Sequence, residues 1–248
     1  MAAIWDKFLT EQDRAVLAGS GFGRTMGFGA RPALLVIDVS YAFCGDVREP
    51  ILDSVKKWRT SCGEAAWDAL PVLEKLIAAA RAKGLPVIYT TGYPPALRRP
   101  DNWGTGLWKR NITLGHQAAP PSNHDGNEIM PQIAPQPQDI VLYKNLPSAF
   151  QGTYLQSHLV ELGCDSLIVT GTTTSGCVRA TVLDAFHQSY RSCVVADGCF
   201  DRFEMSHAVT LFDINAKYGD VLDSGTVLDH VATLPDGLFK LPAGRAPA

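Results

Sequence analysis

Four side chains able to do chemistry fall just past the ends of four apolar runs. Asp38 follows Ala33-Leu-Leu-Val-Ile37, Lys144 follows Asp139-Ile-Val-Leu-Tyr143, Cys177 comes after Ser166-Leu-Ile-Val-Thr170, and Arg202 comes after Ser192-Cys-Val-Val-Ala196. Cys177 is the sharpest of the four. It opens a predicted helix over 177–188, where the helix dipole and unpaired N–H groups favour an anion. A thiol in such a place can fall below its free pKa of about 8.5 and act as a nucleophilic thiolate. The preceding turn, Gly171-Thr-Thr-Thr-Ser-Gly176, has glycine at both ends. Glycine there lets the backbone approach a ligand and aim N–H groups at a developing oxyanion. A thiol, an amine and a carboxylate together supply a nucleophile, a proton-handling group and an orienting group, the parts of covalent acyl transfer.

Each residue also has a plainer reading. Asp38 suits a helix or turn cap, Lys144 a solvated surface charge, Cys177 a buried structural thiol, and Arg202 a surface arginine paired with Asp201 or Glu204. For Cys44, Cys62, Cys164, Cys193 and Cys199 the structural reading is preferred. The joint placement of Asp38, Lys144 and Cys177 outweighs the separate alternatives, because a fold must bring all three to one edge.

The elements between them supply that fold. Residues 64–83 have the period of an amphipathic helix closed by Gly84, and Pro86-Val-Ile-Tyr-Thr90 reads as a second strand. Helices are expected over about 153–162 and 204–216, and a weak last strand near 226–228. Strands alternating with helices imply right-handed βαβ units and a three-layer α/β/α sandwich with a mostly parallel central sheet. The expectation is one domain over residues 1–248. It has an N-terminal arm (1–30) that is Gly-rich over 19–29, and a loosely held tail over 235–248. In such a sheet ligands gather at the carboxyl ends of the strands, where the four residues lie.

Several functions are excluded or disfavoured. With 46% hydrophobic and 19% charged residues, the chain can bury a large core and is not disordered. A net charge of −3 without a basic stripe argues against nucleic acid as partner. No apolar run approaches the ~20 residues that span a bilayer. Six cysteines without CxxC or CxxH spacing fit neither a zinc knuckle nor a disulfide framework. They suit free thiols in a reducing cytoplasm, an expectation shared by the start of the chain, which has early charge and no secretory-type apolar stretch. The glycine-rich arm precedes a strand and lacks GxGxxG spacing, and the GTTTSG turn lacks a Walker ending, so no nucleotide cofactor is expected. A phosphatase loop would need arginine at position 183, which is leucine. His116, His124 and Asp125 could be assembled into a metal site but read as solvated loop residues, and no metal is expected. His187 and His207 fall within predicted helices and offer no obvious Cys–His pair. Trp103 and Trp108 lie in a long loop region (92–137) and suit either a lid or an interface.

Four segments carry a family resemblance: RPALLVIDVSYAF (31–43), LYKNLPSAFQGTYL (142–155), VTGTTTSGCVRATVLDAF (169–186) and FDINAKYGDV (212–221). Together they resemble the isochorismatase-like cysteine hydrolases over about residues 22–230. TTTSGCVRAT with FDINAKYGDV is similar to the branch of N-carbamoylsarcosine and maleamate amidohydrolases. The resemblance implies a catalytic triad of Asp38, Lys144 and Cys177, a cis peptide before Thr173, and an oxyanion hole made by the N–H groups of Thr173 and Cys177. It further implies that Arg202 binds a substrate carboxylate, with Thr174 donating a second hydrogen bond, and that the chain forms a dimer or tetramer. The segment Thr90-Thr-Gly-Tyr-Pro-Pro-Ala-Leu has no histidine, unlike the metal-binding loop of nicotinamidases, and the cysteine departs from true isochorismatases. The implied activity is hydrolysis of a terminal amide or carbamoyl C–N bond in a small carboxylate-bearing molecule. The alternatives are a biuret or ureidoacrylate hydrolase, a silent binding or assembly protein, and a thiol-redox sensor at Cys177.

Overall fold

The computed structural model describes residues 3–97 and 123–241. Six strands build one sheet: β1 (Pro32–Ile37), β2 (Val87–Thr91), β3 (Ile140–Tyr143), β4 (Ser166–Thr172), β5 (Arg191–Phe200) and β6 (Asp220–Leu222). The helices used below are α1 (Glu11–Ser20), α2 (Tyr41–Cys44), α3 (Ile51–Lys57), α4 (Glu64–Ala82), α5 (Leu155–Leu162), α6 (Arg179–His187), α7 (Glu204–Lys217) and α8 (Ser224–Thr233). The strand order is β3-β2-β1-β4-β5-β6, and every strand pairing is parallel rather than mostly so.

β1 and β4 are buried along their whole length, as continuous apolar runs in a parallel sheet must be. α4 packs across β1, β2, β4 and β5 and meets α8, whereas α6 and α7 pack on each other and on β5. Right-handed crossovers and the reversal of strand order put these two groups on opposite faces of the sheet. The central registers set the functional edge. Ile37 pairs with Thr90 on one side and Gly171 on the other, and Tyr143 pairs with Thr91. The residues just beyond these pairs, Asp38, Lys144 and the 172–177 turn, are thereby brought level.

The last strand differs from expectation. It is Asp220–Leu222, while 226–228 belongs to α8. The Asp223 carboxylate accepts the Thr226 N–H at 2.9 Å and starts a helix there, and Val227 and Val231 then bury one helical face. The arm is also more firmly held than its composition suggests. The N–H groups of Met26 and Gly27 donate to Asp220, Phe28 stacks on His230 at 3.8 Å, and the N–H groups of Ala30 and Arg31 donate to Asp165. The tail is fixed at least to Phe239, which is buried beneath the Arg31 guanidinium. Trp103, Trp108 and His116 lie outside the described residues.

Gly171 shows how tightly β1 and β4 meet. Its φ is +100°, and a side chain there would collide with the Ile37 carbonyl oxygen and come within 2.7 Å of the Ile37 nitrogen. Gly171→Ala is therefore expected to destabilise the fold by about 3 kcal/mol or more, read by denaturant unfolding. A stability within 1 kcal/mol or so of wild type would contradict this packing.

Candidate active site

Asp38 leaves β1 with φ +54°, a left-handed turn that aspartate tolerates better than most side chains. Its N–H still donates to the Thr90 carbonyl, so the strand ends one residue before the backbone turns. The carboxylate is 5% exposed and both oxygens are engaged. The Thr90 hydroxyl donates to Oδ1 at 2.8 Å, and Lys144 Nζ donates to Oδ2 at 2.6 Å. Lys144, 7% exposed, is anchored by its own N–H to Thr91 and by a second bond from Nζ to the Leu146 carbonyl (3.2 Å). Burial pulls the ammonium towards neutrality, but Asp38 and Cys177 more than offset it, and the net shift is upward.

Cys177 is partly exposed and lies in a π-helical turn, Thr174–Val178, that precedes α6. The predicted helix therefore begins with a wider turn, of the sort that often marks functional sites. The Thr173 carbonyl accepts N–H groups from Gly176 and Val178, and the peptide between Thr172 and Thr173 is cis. The thiol interacts with both Asp38 and Lys144. Its titration departs from the sequence expectation of a lowered pKa. Burial pushes it up to about 12 and the Asp38 charge adds to the rise, while Lys144 opposes it. The sulfur thus lies against the Asp38–Lys144 pair in surroundings that disfavour its ionisation.

Thr174 is fully buried, with its hydroxyl 2.8 Å from His207 Nδ1. Burial lowers the His207 pKa, with Asp201 acting in the opposite sense. Arg202 is partly buried, and neither carboxylate suggested as its partner forms that pair. Asp201 accepts backbone and hydroxyl donors, and Glu204 pairs with Lys7. The guanidinium instead donates to the Thr60 carbonyl at 2.6 Å, close to Cys62, whose sulfur lies 3.6 Å from the Thr172 hydroxyl. Arg202 is thereby joined, through Cys62, to Thr172 at the end of β4.

His124 stacks on Tyr41 at 4.0 Å with Nδ1 3.2 Å from Glu128, and Asp125 accepts the Asn127 N–H. Among the described residues no group of three or more His, Cys, Asp or Glu side chains is placed to hold a metal ion. Three site residues escaped the sequence reading. Thr90 was legible only as the end of a strand. Thr181 bonds the Cys177 carbonyl (2.7 Å) and accepts the Ala149 N–H, a contact expected from its i+4 spacing. Asp201 lies at a strand's carboxyl end, where the rule that selected Asp38 would have found it.

Residues 32–226 match the isochorismatase domain, and the chain belongs to that family. It is 34% identical over 241 residues to N-carbamoylsarcosine amidase of an Arthrobacter species, covering 95% of this chain and 84% of that protein. It is 32% identical over 218 residues to maleamate amidohydrolase of Pseudomonas putida, covering 85% of this chain and 93% of that protein. Among solved structures, a cysteine hydrolase from Pseudomonas syringae pv. phaseolicola shares the fold with a TM-score of 0.70 and 23% identity, covering 86% of this chain and 98% of that one.

The electrostatics of the thiol can be checked by sign. Asp38→Asn removes the charge that disfavours thiolate and should speed disulfide exchange at Cys177 at a fixed alkaline pH. Lys144→Met removes the opposing cation and should slow it. Reversed effects in folded variants would show that the two side chains do not set the sulfur's charge.

Proposed function

We propose that the protein is a cysteine-dependent amidohydrolase that cleaves a terminal amide or carbamoyl C–N bond of a small carboxylate-bearing substrate and releases ammonia. The observation that carries this reading is the Cys177 thiol set against a buried Asp38–Lys144 ion pair joined at 2.6 Å. The names of the relatives support it, because N-carbamoylsarcosine and maleamate are both small carboxylates ending in a carbamoyl or amide group.

With a thiol pKa near 12, proton removal accompanies attack rather than preceding it. Cys177 Sγ bonds to the substrate carbonyl carbon while its proton passes to Asp38, and Lys144 remains an ammonium that balances the local charge. The N–H groups of Thr173 and Cys177 receive the oxyanion. As the tetrahedral species collapses, Asp38 returns the proton to the departing nitrogen and ammonia leaves. Asp38 then takes a proton from water, the hydroxide attacks the thioester-type carbonyl, and the C–S bond breaks to give the acid and restore the thiol. Amide and water are consumed; acid and ammonia are formed.

Arg202 is the anchor in this reading. Its planar fork suits a carboxylate, and the bond to Thr60 fixes its position with other donors to spare. Thr174, its hydroxyl 2.8 Å from His207 Nδ1, donates a second hydrogen bond to that carboxylate in the same reading.

Ammonia release should be tested on ureido acids, maleamate, biuret and nicotinamide. Cys177→Ala and Cys177→Ser are expected to abolish turnover with the fold intact, and near-normal release by Cys177→Ala would end the covalent mechanism. Arg202→Ala should lower kcat/KM for carboxylated substrates by the equivalent of about 2–4 kcal/mol and affect neutral biuret much less. A wild-type preference for biuret over every carboxylate would move the reading to a biuret-type hydrolase.

A further inference from the structure

The turn bearing Cys177 lacks a cap of its own. Thr173, the residue that leads into it, makes no side-chain capping bond. The missing acceptor comes from another strand. Asp201, 9% exposed, follows β5 and uses both carboxylate oxygens. Oδ2 accepts the Ser175 N–H and the Ser175 hydroxyl, each at 2.7 Å, and Oδ1 accepts the Arg202 N–H at 2.7 Å. One carboxylate thus grips the turn two residues before Cys177 and the backbone of Arg202 together.

The register shows why it can. β4 and β5 pair regularly up to Val169 and Val194, then slip, so that Gly171 meets Cys199 and Thr172 meets Phe200. The irregularity carries β5 forward and leaves Asp201 level with the start of the cysteine turn. The Thr172 hydroxyl closes the same junction by donating to the Phe200 carbonyl at 3.0 Å. Three donors converge on this one carboxyl group, which fixes it between the two segments.

We propose that Asp201 is a positioning residue that holds the nucleophile turn and the Arg202 anchor in a single register, so that the distance between scissile carbonyl and substrate carboxylate is selected by one side chain. This rests on the roles given to Cys177 and Arg202 above. Substrates that place the carboxylate at another distance lose either the anchor or the attack, which makes Asp201 a determinant of chain length as well as of rate.

Alkylation of Cys177 tests this without knowledge of the substrate. 4-Bromocrotonamide and 4-bromocrotonate both form a thioether with loss of bromide, but only the second carries a carboxylate, four bonds from sulfur as an acyl group derived from maleamate would place it. Rates are measured for wild type, Arg202→Ala, Asp201→Asn and Ser175→Ala, with labelling located by peptide mass and folding checked by thermal melts. Arg202→Ala should lower the bromocrotonate-to-bromocrotonamide rate ratio about tenfold, reporting the anchor alone. Asp201→Asn, which presents an amide N–H to one of its partners, should lower both that ratio and the bromocrotonamide rate, each by about fivefold or more. Ser175→Ala keeps the N–H bond and loses the hydroxyl bond, and should slow bromocrotonamide while leaving the ratio unchanged. If Arg202→Ala lowers the ratio but Asp201→Asn keeps wild-type rate and ratio, the coupling is wrong and the anchor stands. If Arg202→Ala leaves the ratio unchanged, the anchor falls and takes the coupling with it. Should Asp201→Asn not fold, Ser175→Ala decides, and a wild-type bromocrotonamide rate there overturns the proposal.

Discussion

A lysine and an aspartate, each less than a tenth exposed, share the edge of this sheet because they meet at 2.6 Å. Separately, either charge would be costly to bury, and each would be driven towards its neutral form. Paired, and with further hydrogen bonds to Thr90 and Leu146, the two groups offset each other's charge in a place from which water is largely withdrawn. The pair is poorly suited to adding stability, since a buried ion pair seldom outperforms packed hydrocarbon. What it provides is a fixed carboxylate beside a sulfur whose own ionisation the site resists. The rest of the architecture serves this arrangement: two strand registers deliver the partners, and a collision-limited glycine lets the cysteine turn come close.

The high thiol pKa clarifies the division of labour. In the mechanism proposed above, a preformed thiolate would be a ready nucleophile but would leave Asp38 with no proton to move. There a neutral thiol would keep the carboxylate free as acceptor and defer the cost of charging sulfur until a carbonyl carbon shares the electrons. Cys44, Cys62, Cys164, Cys193 and Cys199 are also shifted upward by burial. All five are buried, whereas Cys177 lies against the Asp38–Lys144 pair with partial access to solvent.

Much of this was legible in the amino-acid sequence because apolar runs mark buried parallel strands and their carboxyl ends mark the site. That logic reached Asp38, Lys144 and Cys177 without any contact being known. It reached the last strand wrongly, because Thr226-Val-Leu228 has the composition of a strand and only the Asp223 cap converts it to helix. The upward shift of the thiol was hidden as well, since position at the head of a helix speaks of dipoles but says nothing of the burial that outweighs them. Asp201, at a strand's carboxyl end, was within reach of the same rule but was read only as a neighbour for Arg202. Its contact with Ser175 depends on a slip between β4 and β5 that no local pattern announces.

The central pairing of β1 with β4 has a consequence for how the protein is made. Pro32 is matched with Ser166 and Ile37 with Gly171, so the middle of the sheet is closed only after most of the chain has been synthesised. Loop closure of that span is slow compared with the local helices and the neighbouring β1–β2 unit. The ion pair, the cysteine turn and the clamp from β5 draw on residues 38, 144, 175, 177 and 201, on both sides of this seam. A nascent or truncated chain can therefore gain secondary structure while its reactive groups stay apart. The chemistry arrives last, as a property of the completed fold.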